Sequence, residues 1–187
     1  MDSGYIILGV LGAVVLLFIV LYNRLIALRQ TRKNAFSDID VQLKLRYNLV
    51  PQLIEVVKGY VKHEKELLEK VTEARAGAMK AEGTADRAQA EGVLGSAMMN
   101  LFAVAENYPD LRANESFNKM HDELSDIENK IAAARRFFNN ATSEYNTARE
   151  QFPAIIIANM FHFGEEEFFE MPEAEEEAAS KPAEIKF

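Results

Sequence analysis

An uncharged apolar stretch near the start of the chain constrains what the rest can fold into. "YIILGVLGAVVLLFIVLY", Tyr5–Tyr22, is 18 residues long and carries no charge. As a helix rising 1.5 Å per residue it measures about 27 Å, close to the hydrocarbon thickness of a bilayer. A tyrosine stands at each end, where amphipathic rings favour the headgroup level. The stretch therefore predicts a membrane anchor over residues 1–22, with the span itself at 5–22.

A cleaved signal peptide and a buried helix of a soluble protein are the alternatives to an anchor. A signal peptide needs a basic segment before the apolar run and a small-residue cleavage site after it. Here only Asp2 precedes the run as a charged residue, and "LYNRLIALRQ" offers no such site. A buried soluble helix would show polar residues on one face, and this stretch shows none. Both alternatives are disfavoured against an uncleaved anchor.

Basic residues lie on one side of the span only. No Lys or Arg precedes it, and four follow closely: Arg24, Arg29, Arg32 and Lys33. By the positive-inside rule the flank that carries them stays in the cytoplasm. The sequence therefore predicts a single-pass protein with a very short N-terminus outside and a cytoplasmic body.

The clearest periodicity of the body lies between residues 117 and 152. Large apolar residues recur at every seventh position, and Met120, Ile127 and alanines occupy the interleaved positions. This 3–4 spacing is typical of a coiled-coil-like helix with one buried face. We predict a long helix, ended by Pro153, with a core seam made of Phe117, Leu124, Ile131, Phe138, Tyr145 and Phe152.

A proline interrupts the first helical stretch of the body. Apolar residues recur at helical spacing from Phe36 to Ala78, and their phase does not reset across Pro51. Proline lacks an amide hydrogen and crowds the carbonyl four residues back, so it either kinks one helix or joins two. A turn would favour Gly, Asn or Asp where Leu49 and Val50 stand, so a kinked continuous helix is preferred. That form leaves the seam around residues 36–43 free for a partner, whereas a split at Pro51 covers it in a four-helix bundle.

These patterns predict an all-α protein. An N-terminal transmembrane helix is followed by an elongated antiparallel bundle of three to four long helices over residues 23–163. The apolar segment "FPAIIIANMFHF", residues 152–163, caps this bundle or lies as an interfacial helix. Residues 164–187 carry nine Glu and two Lys, most of the chain's net charge of −8. This composition predicts an acidic disordered tail that folding does not need.

Catalytic and ligand-binding motifs are absent from the sequence. The chain has no cysteine, which excludes disulfides, thiol catalysis and Cys-ligated zinc. "HEKEL", residues 63–67, resembles the zinc-protease motif but has Leu67 in place of the second histidine. No Glu-x-x-His pair and no Gly-rich phosphate loop occurs. The sequence predicts no catalytic residue, cofactor, metal or small-molecule substrate, and its acidic balance argues against nucleic acid.

Several longer blocks resemble the LemA family of bacterial membrane proteins. The most specific are "LVPQLIEVVKGY" and "AENYPDLRAN", with "LSDIENKIAAARRFFNNATSEYN" further on. The likeness runs from Tyr22 to Pro153, with Ala154 and His162 standing where the family usually has glycine. It implies a bacterial inner-membrane protein with an N-terminal span, a small external N-terminus and an all-helical body. The family's molecular function is not settled, so no catalytic residues transfer from it.

Together the residues predict a membrane-anchored helical scaffold or adaptor. Its expected partners are the lipid bilayer and either other membrane proteins or further copies of itself. One rival is a transmembrane sensory module. Such a module would need an external part that binds a ligand, and the four residues before Tyr5 are too few for that. A second rival is an unrecognised enzyme, which a buried polar cluster in the structure would favour.

Overall fold

All regular structure in the described part of the chain is helical. The computed structural model describes residues 3–61 and 64–170, and no strand occurs within them. The elements are α1 (Ser3–Lys58), α2 (Lys65–Lys80), α3 (Thr84–Ala105), α4 (Pro109–Arg112), α5 (Glu115–Glu150) and α6 (Ala154–Met160). The all-α prediction is confirmed.

The chain divides into two compact units. The anchor unit comprises Met1–Asp38 and Ala134–Glu167, and the bundle unit comprises Ile39–Ala133 and Phe168–Phe187. Helices α1 and α5 each contribute one part to either unit.

In the anchor unit, α1 and α5 run antiparallel. The Arg32 guanidinium donates to the Thr142 hydroxyl at 3.0 Å, and one helical turn further along α1 the Phe36 ring lies 5.5 Å from that of Phe138. Moving four residues forward on α1 thus moves the partner four residues back on α5. The core of the unit includes an apolar cluster of buried residues: Leu25, Tyr145, Ala148, Ile157, Ala158 and Phe163.

In the bundle unit, the chain reverses direction after Lys58. Gly59 follows the helix end, and the Tyr60 amide donates to the Val57 carbonyl at 2.9 Å. Beyond this turn α2 returns along α1, so that the Tyr47 hydroxyl reaches the Ala78 carbonyl at 3.4 Å. A single helix from residue 36 to residue 78 was therefore a wrong prediction. The helical spacing of the apolar residues continues through the turn because the buried positions of α2 follow on from those of α1 at the same spacing.

Pro51 lies inside α1, which runs through it without ending. The structure thus matches the continuous alternative at Pro51, while the reversal comes at Gly59. Ile39 and Leu43 are buried, so the expectation of a free seam there is wrong. Proline leaves the carbonyl of the residue four positions back without its helical donor. That carbonyl belongs to Tyr47, and it accepts a hydrogen bond from Arg75 Nε at 2.7 Å.

This contact predicts that Arg75 and Pro51 are energetically coupled. Arg75→Met leaves the Tyr47 carbonyl unpaired and should cost about 1–3 kcal/mol, as for other unsatisfied buried groups. In a Pro51→Ala background the residue 51 amide can donate to Tyr47, so the same substitution should cost clearly less. Chemical denaturation of the four variants gives the coupling free energy. Equal costs in both backgrounds would show that Arg75 acts on something other than this carbonyl.

The predicted core seam of α5 is buried over most of its length. Phe117, Leu124 and Ile131 are buried in the bundle unit, and Phe138 and Tyr145 are buried in the anchor unit. The prediction fails for its last member, because Phe152 is 83% exposed. Helix α5 ends at Glu150, so residue 152 leaves the heptad register. The residue before a proline avoids helical conformation, which explains why the helix stops short of this position.

Candidate membrane-proximal site and a buried polar cluster

The N-terminal part of α1 can span a membrane by length and composition. Its most apolar 18-residue window has none of its residues buried, which contradicts a buried helix of a soluble protein. Of the two predicted flanking tyrosines, Tyr5 is exposed. Tyr22 instead packs its ring edge-on against Phe161 and Phe163, at centroid distances of 4.9 and 5.8 Å. The apolar stretch therefore ends in packed protein.

The four basic residues after the span have two different surroundings. Arg24 and Lys33 are exposed, as residues facing lipid headgroups would be. Arg29 lies 3.4 Å from the Glu166 carboxylate, and Arg32 lies 2.8 Å from it. The Arg32 side chain is only 14% exposed, and it also donates to the Glu167 carbonyl at 2.7 Å. Arg32 is thus an internal residue of the anchor unit as well as a member of the basic flank.

The start of the acidic segment is docked in the anchor unit. Asn146 holds Glu166 by two backbone hydrogen bonds, accepting from its amide at 3.0 Å and donating to its carbonyl at 2.9 Å. The Tyr145 hydroxyl donates to the Gly164 carbonyl at 3.0 Å. Burial raises the pKa of Tyr145, which keeps this hydroxyl protonated. Contacts therefore continue past the predicted boundary at Gly164, while residues 171–187 of the predicted tail lie outside the described residues.

Helix α6 packs one side onto the anchor unit and presents the other to solvent. Its buried residues are Ala154, Ile157 and Ala158, and the last two belong to the core cluster around Leu25. His162, just after the helix, has φ = 56°, a left-handed conformation that favours glycine. Because the chain turns at His162, the rings of Phe161 and Phe163 both contact the ring of Tyr22. Exposed apolar residues cover the outer side: Phe152, Ile155, Ile156, Met160 and Phe161.

A buried polar cluster lies in the bundle unit. Arg46, 3% exposed, pairs with the carboxylates of Glu91 and Glu128. The Tyr47 hydroxyl also donates to Glu91. Burial raises the pKa of Tyr47, so its hydroxyl stays protonated and remains a donor. The cluster therefore ties α1 to both α3 and α5 through one arginine.

Two further arginines extend the polar contacts of the bundle unit. Arg87 pairs with the Asp40 carboxylate and donates to the Ala81 carbonyl at 3.3 Å. Arg75 donates a hydrogen bond to the Tyr47 carbonyl. These side chains bind one another and the backbone, which is the arrangement of a structural network. Over residues 3–61 and 64–170, no group of three or more His, Asp or Glu could hold a metal ion.

Two open grooves mark the surface of the bundle unit. One runs between α1 and α2, has a volume of about 860 Å³ and is lined by Ile54, Val61, Leu68 and Thr72 among others. The other runs between α2 and α3, has a volume of about 550 Å³ and is lined by Leu67, Val93 and Ala97 among others. Neither contains a residue of the polar cluster.

Sequence reasoning missed the residues of the polar cluster. Arg46 lies one residue before Tyr47, between the buried positions Leu43 and Val50 of the same stripe. Glu91 likewise lies one helical turn from the buried residues Ala88 and Leu94. A charged residue placed among apolar positions at helical spacing was the available signal, since a buried charge requires a partner.

Comparison with known proteins identifies relatives over most of the chain. The LemA family model matches residues 35–187. Magnetosome protein MamQ of Magnetospirillum gryphiswaldense is 23% identical over 174 residues, which cover 79% of this chain and 64% of the relative. Magnetosome protein MamQ 2 of Paramagnetospirillum magneticum is 32% identical over 81 residues, 43% of this chain and 30% of the relative. The matched region thus spans less than two thirds of either relative.

The family match and the exposed apolar part of α1 agree with each other. The first is a match to the family whose resemblance implies a membrane protein, and the second is a helix long and apolar enough to enter a bilayer. The protein is membrane-associated.

Proposed function

The chain belongs to the LemA family, and from that premise we propose that it is a non-enzymatic scaffold or adaptor anchored in the bacterial inner membrane. Its single span lies at Tyr5–Tyr22, with the N-terminal end outside and the helical body in the cytoplasm. Its partners are the bilayer and other membrane proteins or further copies of this chain. The basic residues after the span support this orientation.

The main observation in support of a scaffold is that the charged groups of the buried polar cluster are paired with each other. A catalytic group has to face a cavity that substrate can enter. Arg46 and Glu91 instead face each other, nearly without exposure, and neither lines either of the two grooves described above. This pairing favours a structural role for the cluster. A buried polar cluster that faced a substrate cavity would have favoured an enzyme instead. The open grooves beside α2 then offer surface for a partner, since most of the surface exposed in each groove is apolar, and charged side chains such as Glu55, Lys58 and Lys65 also line the larger one.

Photo-crosslinking in living cells tests this proposal. A photoreactive amino acid at Thr72, in the groove between α1 and α2, should capture one or a few membrane proteins or a second copy of this chain. The matched control is the same amino acid at Asp122, whose side chain is 87% exposed on α5 of the same unit and lines neither groove. Products should be specific to position 72 and should be identified by mass spectrometry.

Two results would overturn the proposal in different ways. Products at neither position in intact cells would argue against an adaptor. Products formed with periplasmic proteins would place the body outside the cytoplasm and reverse the orientation.

A further inference from the structure

The outer side of α6 carries no charge and is mostly apolar, with Asn159 as the exposed polar residue of the helix. Residues 151–163 contain no Asp, Glu, Lys or Arg. Within them a patch of exposed apolar residues, here called the α6 patch, is formed by Phe152, Ile155, Ile156, Met160 and Phe161. The inner side of the same helix is buried in the anchor unit, so the helix is held in place and cannot turn its apolar outer side inward. Large apolar patches of this kind mark protein or membrane contacts.

The position of the α6 patch relative to the span identifies its occupant. The ring of Phe161 lies 5.9 Å from that of Phe18 and 4.9 Å from that of Tyr22. Phe18 precedes the end of the apolar stretch by four residues, or about 6 Å along the helix. Interfacial helices bury their apolar face about 5–10 Å into the headgroup and acyl boundary. Phe161 therefore lies level with the last turn of the apolar stretch, at the end where a span over residues 5–22 would leave the hydrocarbon core.

The length of α6 distinguishes this contact from a second span. Seven residues give a helix of about 10 Å, far too short to cross the hydrocarbon core. The charged residues nearest to the segment, Glu150 and Glu165, flank it on either side. An apolar segment bounded by charge suits an element lying in the interface.

We propose that the α6 patch is a second membrane-binding surface, which inserts into the lipid leaflet on the body side of the span. The lipid surface continues directly from the exposed residues of α1, so no protein partner is needed to cover the patch. The contact fixes the tilt of the anchor unit against the bilayer, because α1 and α6 then both enter the same leaflet. The inference does not depend on the proposed scaffold role or on which compartment holds the body.

Site-directed spin labelling of the full chain in lipid nanodiscs tests the inference. The chain has no cysteine, so single cysteines at Ile156 and Met160 can each carry one nitroxide. Val15 in the span provides the lipid reference, and Ser143 on the exposed side of α5 provides the aqueous reference. We expect the ratio of collision rates with oxygen and with a water-soluble nickel complex to lie near that of Val15 and several-fold above that of Ser143. Circular dichroism of each labelled protein checks that the fold is kept.

The other outcomes each contradict the inference. Ratios at both positions equal to that of Ser143 would place the α6 patch in water. Low collision rates with both reagents would show that protein covers it, either a second copy or another partner. An aqueous ratio at Val15 itself would refute the membrane anchor, which separates failure of the proposed function from failure of this inference.

Discussion

Replacing Arg46 with methionine is expected to lower the free energy of unfolding by about 3–5 kcal/mol, the usual cost of removing one partner from a buried ion pair. The substitution leaves the Glu91 carboxylate buried without its counter-charge. Glu128 is more exposed and can be hydrated in its place. Chemical denaturation of the full chain in detergent, followed by circular dichroism, measures the change.

A second substitution should reverse most of that loss. Replacing a whole buried pair with apolar residues of similar volume is often neutral, so Arg46→Met with Glu91→Met should recover much of the lost stability. The control is Lys130→Ala, which removes an exposed pair with Asp126 and should cost at most about 1 kcal/mol. If Arg46→Met costs no more than Lys130→Ala, then Arg46 is not a buried link between helices.

Phe138→Ala is the second substitution with a large expected effect, about 3–5 kcal/mol as for other buried aromatic residues. The Phe138 ring is fully buried, faces the Phe36 ring and lies 4.7 Å beneath the Arg32 guanidinium. Truncation removes the core contact and the cation–π contact together. The expected result is a strong fall in the free energy of unfolding, measured by the same denaturation.

The neighbouring residue provides a matched control for Phe138. Phe137 is the same residue type on the same helix but is 53% exposed. Phe137→Ala should therefore change stability far less, because exposed side chains contribute little to the core. Equal effects at the two positions would contradict the heptad register assigned to α5.

The helices of this protein could be predicted to the extent that one face of each is buried. The seam of α5 was predictable from Phe117 to Tyr145 because a long helix repeats its buried face regularly. The reversal after Lys58 was not, since burial of the same stripe on both sides of a turn preserves the apolar phase. Gly59 directly after a basic last turn was the available local signal for that helix end.

Long-range partners account for most of what the sequence left open at the candidate site. Arg29 and Arg32 were predictable as a basic flank from their distance to the span. Their pairing with Glu166 was not, because it depends on where α5 and the segment after it return in space. Arg75 falls at helical spacing between the apolar residues Val71 and Ala78, and the sequence alone offers no partner for it. In the structure Arg75 donates to the Tyr47 carbonyl on α1, which Pro51 leaves without a helical hydrogen-bond donor.

The division of the chain into units has a consequence for the order in which they assemble during translation. Residues Ile39–Ala133 of the bundle unit are continuous, so their contacts can form as soon as that stretch has left the ribosome. The anchor unit combines Met1–Asp38 with Ala134–Glu167, which is made only after the intervening stretch. Leu25 therefore cannot pack against Tyr145 and Ile157 until those residues have been made. The helical segments that pack beside the end of the apolar stretch therefore become available only after Ile39–Ala133 has had time to fold.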